Sequence, residues 1–233
     1  MRNKIAVFCA RGGSKRVKRK NLTMIDGKPL IAYGIEIARK AGIFDQVIVN
    51  SEDQEIIDAA GLYGADTYNR PESLATDTTF VIEVVQEMIS TLGLMPDDSV
   101  AVMFPTCPLT EPEDIKSAYK IFKENGCQSP VVSVTKYEYP IQVALEVNND
   151  NRLQPVFKEA YKSSTRHNSH SASYRANYSV IFNSAGNFLN QKNLIGQFPI
   201  PYVMPLERSI DIDEPYQMEL AKLMIEKRNK ENA

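Results

Sequence analysis

The chain has 233 residues, of which 43% are hydrophobic and 24% are charged, a composition typical of one globular α/β domain. Its formal net charge of −2 argues against nucleic acid or an anionic membrane as a partner. The first apolar run, residues 5–10, is too short for a signal peptide, and no apolar stretch approaches the length of a membrane span. Three widely spaced cysteines without metal-like spacing favour a reduced, cytoplasmic protein.

Short apolar runs alternate with helical patterns along the first 135 residues. Strands are predicted at Lys4–Ala10, Gln46–Asn50, Ala65–Tyr68, Val100–Phe104 and Val131–Thr135. Helices are predicted between them at Leu30–Ala41, Asp53–Tyr63, Thr78–Leu92 and Pro112–Glu124. This alternation predicts a three-layer α/β fold, with a mostly parallel sheet covered by helices on both faces and ligands at the carboxyl ends of its strands.

The pattern changes after Tyr137. Leu145–Val147 and Leu153–Phe157 are separated by four polar residues, which is typical of a hairpin. Lys158–Ser173 is polar and aperiodic, as in a flexible loop or an interface arm. Strands at Ser179–Phe182 and Ile200–Met204 and a helix from Pro215 follow. We therefore predict one domain over residues 1–233 with a small lobe at about 137–173.

A basic, glycine-bearing loop follows the predicted first strand. It places six cations in the ten positions from Arg11 to Lys20, on a protein that is acidic overall. Gly12 and Gly13 allow the backbone to approach a ligand and to point amide groups at an anion, and the cations supply the charge that a triphosphate needs. No standard glycine-rich phosphate motif fits, so a solvated loop or a nucleic-acid contact are the alternatives to a phosphate site.

Two carboxylates near the end of the sequence, Asp211 and Asp213, are separated by one residue. In an extended segment such side chains share one face, and together with phosphate oxygens and water they could hold Mg²⁺. The alternative is that Asp213 caps the helix predicted from Pro215 while Asp211 is merely exposed. The pattern of these residues does not separate the two interpretations.

Six segments, in this order, resemble the acylneuraminate cytidylyltransferases, also called CMP-sialic acid synthetases. They are Ala10–Arg16, Lys20–Leu22, Gly27–Leu30, Arg70–Asp77, Pro105–Leu109 and Ser209–Asp213. Each motif is short, but their order is kept over nearly the whole chain. The resemblance implies a Rossmann-like sheet, CTP as the nucleotide, Mg²⁺ as the cofactor, and a homodimer whose dimerisation lobe is the stretch at about 137–173.

The resemblance also implies the reaction and the residues that perform it. The anomeric hydroxyl of an acidic nine-carbon sugar attacks the α-phosphorus of CTP, and pyrophosphate leaves, a reaction that depends on positioning and charge neutralisation. Catalysis is assigned to Arg11, Lys20 and Asp211, and metal binding to Asp211 and Asp213. Nucleotide binding is assigned to Ala10, Arg11, Gly13, Ser14, Lys20, Asn21, Arg70, Ala75, Thr76 and Asp77. The intervening cations, Lys15, Arg16, Lys18 and Arg19, receive no individual role.

The sugar side departs from the family pattern. Phe104 stands where sialic acid enzymes commonly have Gln, Gln142 where a Lys often meets the sugar carboxylate, and Tyr178 where Gly is usual. Phe104 and Gln142 are the sugar-site positions, with Arg166 and Arg175 as candidates for pairing with the carboxylate. Sialic, legionaminic and pseudaminic acids are all open as substrates. The alternatives are another sugar or alcohol nucleotidyltransferase of this fold, or a non-catalytic nucleotide- or RNA-binding protein.

Overall fold

The computed structural model describes residues 2–163 and 170–231. Up to residue 136 its elements are β1 (Lys4–Cys9), β2 (Met24–Ile25), β3 (Lys28–Pro29), α1 (Leu30–Ala41), β4 (Gln46–Ser51), α2 (Gln54–Leu62), β5 (Asp66–Asn69), α3 (Val81–Leu92), β6 (Ser99–Met103), α4 (Pro112–Glu124) and β7 (Val131–Lys136). After it come β8 (Leu145–Val147), β9 (Leu153–Pro155), α5 (Lys158–Ser163), β10 (Tyr174–Ser184), α6 (Ala185–Asn190), β11 (Ile200–Val203) and α7 (Pro215–Glu231).

Seven of the described strands form one sheet in the order β11-β7-β10-β6-β1-β4-β5. β1 lies parallel to both of its neighbours, β4 and β6, and the pairs β4–β5 and β7–β11 are parallel as well. β10 runs antiparallel to both β6 and β7. Because β10 runs opposite to β6, its amino-terminal part lies beside the carboxyl end of β6, and residues from both strands can meet at that edge.

The core has one layer on each face of this sheet. Ala6 and Phe8 of β1 pack on one face with residues of α1 and α4, whereas Ile5 and Val7 pack on the other face with residues of α3. Alternate side chains of a strand point to opposite faces, so a strand that is buried on both faces is apolar throughout. This explains why β1 reads as a nearly continuous apolar run.

A third cluster attaches the last helix to the beginning of the fold. Ile212, Met218 and Ile225 are buried against Ile25 and Leu30, which lie just before and at the start of α1. The backbone N–H of Ile212 also donates to the Thr106 carbonyl after β6, at 2.9 Å. The segment that carries Asp211 and Asp213 is therefore fixed beside the carboxyl edge of the sheet.

The predicted α/β fold with a mostly parallel sheet is confirmed, and most elements agree with their predicted bounds within one or two residues. The helix predicted from Thr78 begins only at Val81, because the Thr76 hydroxyl accepts the Thr79 N–H at 3.2 Å and so competes with helical hydrogen bonding. The prediction of an aperiodic Lys158–Ser173 was wrong at its start, which forms α5. The short β2–β3 pair and α6 were not predicted. Among the described residues, no helix has the length and apolarity needed to cross a bilayer.

Candidate active site

A cleft of about 580 Å³ lies at the carboxyl edge of the sheet. It is lined by the ends of β1 and β6, by the basic loop, by the loop after β5, by Tyr178 of β10 and by the carboxylate segment. This volume is within the usual range for sites that bind small molecules, and in open parallel sheets ligands bind at this edge. The cleft therefore collects most of the residues that the sequence singled out.

The start of the basic loop is held against the neighbouring strand. The Gly12 N–H donates to Glu52 Oε1 at 2.8 Å, and Asn21 Nδ2 donates to the Arg11 carbonyl at 3.0 Å. A Cβ added to Gly12 would lie 2.9 Å from the Asp53 Cβ and closer still to its carboxylate, whereas one added to Gly13 would meet nothing within 4 Å. Gly12 is therefore needed for packing, and Gly13 leaves open space beside the cleft.

The six cations of this loop point in different directions. Lys20 Nζ donates to the Ile212 carbonyl at 2.5 Å and to Asp213 Oδ1 at 3.1 Å. Arg11 Nη1 lies 2.9 Å from Asp77 Oδ1, and Lys15 pairs with the other oxygen of the same carboxylate. The hydrogen bond from Lys15, together with that from Arg11, holds the pKa of Asp77 below its usual range. Lys20, Arg11 and Lys15 all line the cleft.

The remaining cations of the loop are divided between the cleft and positions outside it. Arg16 lines the cleft and pairs with Glu214 at 2.8 Å and with Asp213 at 3.4 Å. Arg19 pairs instead with the α2 carboxylates Asp53 and Glu55, and Lys18 is exposed. Sequence reasoning gave Lys15 and Arg16 no role. Lys15 and Arg16 can be distinguished from Lys18 and Arg19 only by the residues with which each cation pairs in the folded chain.

Asp211 and Asp213 both line the cleft, while Ile212 between them is fully buried on the opposite side. The alternation predicted for an extended segment is therefore present. The Asp213 carboxylate pairs with cations of the basic loop rather than with the amides of α7. The N–H groups of Asp213 and Glu214 both donate to Gln217 Oε1, each at 2.7 Å. A side chain of α7 thus reaches back to this segment, and the Asp213 carboxylate faces the basic loop.

The environment of Asp211 differs from that of Asp213. Burial raises the pKa of Asp211 above its ordinary value, and the nearby charge of Asp213 adds to this effect. A hydrogen bond with Thr106 and the charges of Lys20 and Arg175 act in the opposite direction on the same pKa. The cleft therefore contains a partly desolvated carboxyl group between two cations, an arrangement that is common at functional sites.

Arg70 forms the rigid wall at the other end of the cleft. Its guanidinium is buried and donates to Asn50 Oδ1 and to the Asn50 carbonyl, both at 2.8 Å, and lies 3.6 Å from Glu52. Because Glu52 also accepts the Gly12 N–H, Arg70 and the basic loop share one support. The planar guanidinium is thereby fixed in orientation at the ends of β4 and β5.

The other predicted nucleotide-site residues occupy three kinds of position. Ser14, Asn21, Thr76 and Asp77 line the cleft. Ala10 is fully buried at the end of β1, where its N–H donates to the Asn50 carbonyl at 3.0 Å, so it supports the loop from below. Ala75 and Gly13 lie beside the cleft in the two loops that border it, and neither is among the residues that line it.

The sugar-site positions are only partly brought together. Phe104 lines the cleft with Tyr178, and their ring centroids are 5.1 Å apart. Arg175 lies on β10 opposite Thr135, and its charge acts on Asp211. Gln142 lies in a turn at Ile141–Val143 before the β8–β9 hairpin, away from the cleft of its own chain, with a buried and unpaired Oε1. Arg166 lies outside the described residues.

A mostly parallel sheet with a basic, carboxylate-bearing cleft at its carboxyl edge defines the class: an α/β nucleotidyltransferase. The cytidylyltransferase family profile matches residues 5–225. The chain belongs to that family, and the resemblance to its nonulosonate-activating members is confirmed by relatives of known activity.

Three such relatives span nearly the whole chain. Pseudaminic acid cytidylyltransferase of Campylobacter jejuni subsp. jejuni (serotype O:2) is 34% identical over 223 residues, which cover 94% of this chain and 95% of the relative. The Escherichia coli O18:K1:H7 N-acylneuraminate cytidylyltransferase is 33% identical over 99% of this chain and 54% of its own length. CMP-N,N'-diacetyllegionaminic acid synthase of Legionella pneumophila is 31% identical over 95% of this chain and 96% of its own length.

The fold has a counterpart among solved structures. A CMP:2-keto-3-deoxy-manno-octonic acid synthetase complexed with CTP superposes with a TM-score of 0.71, covering 97% of this chain and 99% of that one. At 15% sequence identity this similarity concerns the fold alone.

Proposed function

We propose that this enzyme couples CTP to a nine-carbon 2-keto sugar acid of the sialic, legionaminic or pseudaminic type, giving the CMP-sugar and pyrophosphate. The observation that carries the proposal is the convergence of Lys20, Arg11 and Lys15 with Asp211 and Asp213 in one cleft. Cations for a triphosphate and carboxylates for a metal are the two requirements of nucleotidyl transfer. Relatives at 31–34% identity over most of the chain are named for this reaction with three different acids.

The arrangement of the cleft gives the nucleotide a direction. Arg70 and Asp77 both follow β5, at the β4–β5 end of the cleft, where we place the cytidine, and Lys20 contacts the carboxylate segment, where we place the phosphates. Lys20 and Arg11 stabilise negative charge that develops on the phosphates during transfer, because the Ile212 and Thr76 carbonyls, to which they donate, orient them. Pairing with phosphate requires Lys20 to exchange its contact with Asp213, and Arg11 to exchange its contact with Asp77.

Mg²⁺ is proposed as the cofactor. Asp211 and Asp213 supply two carboxylates on one face, and no cluster of three or more His, Cys, Asp or Glu ligands occurs among residues 2–163 and 170–231. Two carboxylates fit a hard cation that takes its other ligands from phosphate oxygens and water. When bound, Mg²⁺ supplies charge neutralisation at the phosphates. Asp211 and Asp213 hold and orient it in this proposal.

The acid binds at the β6–β10 end of the cleft, opposite the β4–β5 end at which we place the cytidine. Arg175 of β10 is a cation on that side whose charge acts on Asp211, although it is not among the residues that line the cleft; a guanidinium can pair with a carboxylate through two parallel hydrogen bonds. Asp211 lies where it can accept a hydrogen bond from the anomeric hydroxyl and orient that hydroxyl toward the α-phosphorus. Because the same carboxylate is proposed to hold Mg²⁺, its part here is to orient the hydroxyl rather than to act as a strong base.

We further propose a homodimer formed through the β8–β9 hairpin and its flanks. Val147 and Leu153 face each other across the hairpin and are 63% and 68% exposed, an unusual exposure for apolar side chains on a two-stranded sheet. A second copy of the chain would cover them.

The cytoplasm is the proposed compartment, in keeping with three cysteines that form no disulfide.

A matrix of nucleotides and acids tests the proposed activity. Purified protein with Mg²⁺ is given CTP, UTP, ATP or GTP together with N-acetylneuraminic, N,N'-diacetyllegionaminic, pseudaminic or 2-keto-3-deoxy-manno-octonic acid, and pyrophosphate release is followed. We expect release with CTP and at least one nine-carbon acid. Absence of release with CTP and every nine-carbon acid, or a preference for another nucleotide, contradicts the proposal. Release with the eight-carbon acid alone indicates a different member of the same fold.

A further inference from the structure

Tyr178 has a backbone conformation that is unusual for a bulky residue. Its φ is 58°, in the left-handed region that favours glycine, and the register of β10 against β7 shifts between Ala176 and Ile181 around it. A residue with a large side chain stays in this region only when the surrounding structure enforces it, and such residues cluster at functional sites. The position of Tyr178 in the wall of the cleft fits this pattern.

Buried hydrogen bonds enforce the conformation. Cys107 Sγ donates to the Asn177 carbonyl at 3.1 Å, and Asn177 Nδ2 donates to Ser209 Oγ at 2.8 Å. Burial raises the pKa of Cys107 well above its usual range, so the thiol keeps the proton that it donates. The backbone just before Tyr178 is therefore tied both to the loop after β6 and to the segment that leads to Asp211.

The ring of Tyr178 is aimed at Phe104. The two ring centroids are 5.1 Å apart with the planes inclined at 46°, a tilted arrangement that is favourable for aromatic pairs. Both rings also pack on the buried cluster that contains Val102 and Ile181. They are supported from below and bordered by the cleft above, so they form a fixed apolar wall. This wall lies at the β6–β10 end of the cleft, on the same side as Arg175 and away from Arg70.

The geometry points to Phe104 and Tyr178 as a specificity-determining pair that selects acids with a methyl group and a second acylamino group in place of tail hydroxyls. This inference rests on the proposed function, because it assigns the β6–β10 end to the sugar. A hydroxyl buried against two rings loses its water without gaining a partner, which is unfavourable. A methyl group at the same place gains from burial, and so does the methyl end of an acylamino group whose N–H and C=O stay in contact with water or a polar partner.

A matched pair of acids tests this selection. N,N'-Diacetyllegionaminic acid has the ring stereochemistry of N-acetylneuraminic acid but carries a second acetamido group and a terminal methyl in place of two tail hydroxyls; pseudaminic acid is a third acid with the same replacements. We expect the wild-type kcat/KM with the better of the two bis(acylamino) acids to exceed that with N-acetylneuraminic acid by about tenfold to a hundredfold. Equal or better use of N-acetylneuraminic acid overturns the inference.

Substitutions at Tyr178 and Phe104 test whether their two rings cause the preference between acids. Tyr178→Gly suits the left-handed backbone and removes the ring, and Phe104→Gln introduces a hydrogen-bonding side chain; each should lower the preference by about tenfold. Tyr178→Phe should preserve it, because the ring rather than the hydroxyl excludes the polar tail. Phe198→Gly is the matched control, since Phe198 also has a positive φ, of 50°, but is 93% exposed and outside the cleft.

The outcomes separate the inference from the activity on which it depends. An unchanged preference in both Tyr178→Gly and Phe104→Gln overturns the inference while pyrophosphate release from CTP continues. Absence of release with every acid in the wild-type protein instead removes the proposed function. Thermal unfolding of each variant shows whether it is folded, and a folded variant with a lowered preference supports the wall.

Discussion

Lys20 and Asp213 are joined by a hydrogen-bonded ion pair of 3.1 Å although 193 positions separate them in the sequence. The same ammonium group also reaches the Ile212 carbonyl. One side chain of the basic loop is thus aligned by the segment that carries both carboxylates. Any phosphate that binds Lys20 is therefore placed within reach of Asp213, which is the geometric reason to treat the two motifs as one site.

Replacing Lys20 by Ala should lower kcat/KM for CTP by about a hundredfold to a thousandfold, the usual effect of removing one preorganised group that stabilises developing charge. The stability should fall by about 1–2 kcal/mol, because the substitution removes a partly exposed ion pair and the hydrogen bond to the Ile212 carbonyl. Steady-state pyrophosphate release and urea unfolding measure the two effects. Lys18→Ala is the matched control, since Lys18 is an exposed lysine of the same loop. An equal loss in both variants would mean that the loop acts only through its net charge.

Replacing Gly12 by Ala should destabilise the protein by about 1–3 kcal/mol, because the new methyl group overlaps the Asp53 side chain and the loop must move from Glu52. The free energy of unfolding in urea measures this effect. Gly13→Ala should leave stability unchanged, since its added methyl group meets nothing within 4 Å. A raised KM for CTP in a stable Gly13→Ala protein would support the predicted place of Gly13 beside the nucleotide. Equal destabilisation by the two substitutions would contradict the close packing of Gly12 against Asp53.

Replacing Asp211 by Asn should lower kcat by about a hundredfold or more. In the presence of a chelator it should also raise the melting temperature at neutral pH. The pKa of Asp211 is raised in the fold, so the folded state binds its proton more tightly than the unfolded state does. The free energy of unfolding of the wild-type protein therefore decreases as the pH rises from the ordinary aspartate pKa through the raised one, because the buried carboxyl group must then be ionised. Asparagine avoids this cost.

The pH dependence provides the check on Asp211. The difference in melting temperature between Asp211→Asn and wild type should be largest above the raised pKa and should vanish below the ordinary aspartate value. Asp150→Asn, at an exposed position of the hairpin turn, serves as the control. A lower melting temperature for Asp211→Asn at neutral pH would show that the surrounding cations outweigh the cost of burial.

Replacing Val147 and Leu153 together by Lys should convert a dimer into a monomer. The two residues are direct partners across the β8–β9 hairpin, so four like charges would meet if two hairpins packed together. Sedimentation velocity over a range of protein concentrations measures the change. Leu62→Lys is the control, because Leu62 is 86% exposed on α2, outside the hairpin. A wild-type protein that is monomeric throughout, or a double variant that stays dimeric, would contradict the proposed interface.

The layered fold could be predicted because its strands have strong local signals. The run from Lys4 to Cys9 is apolar since both of its faces are covered, and α1 and α4 were predicted at their observed bounds because Pro, Gly and the apolar period agree. α6 was missed because it has only six residues, too few for a recognisable period. The late start of α3 depends on the hydrogen bond from the Thr79 N–H to the Thr76 hydroxyl, which composition does not reveal.

The site was predicted unevenly for a related reason. Asp211 and Asp213 could be identified from spacing, because alternation in an extended segment is a local property. The separate partners of Lys15 and Arg19 could not, since Asp77 and Asp53 are distant in the sequence. The pairing of Phe104 with Tyr178 likewise brings together the residue after β6 and a residue of β10, and these two strands are neighbours only in the folded sheet.

The basic loop and the carboxylate segment of the cleft come from opposite ends of the described chain, and this has a consequence during synthesis. A nascent chain that has not yet reached Asp211 presents the cations of the basic loop without the carboxylate that aligns Lys20. The cluster that seats this segment needs α7 as well, through Met218 and Ile225. The apparatus for nucleotidyl transfer is therefore completed only after α7 has left the ribosome, so we expect a product that ends before Asp211 to lack activity.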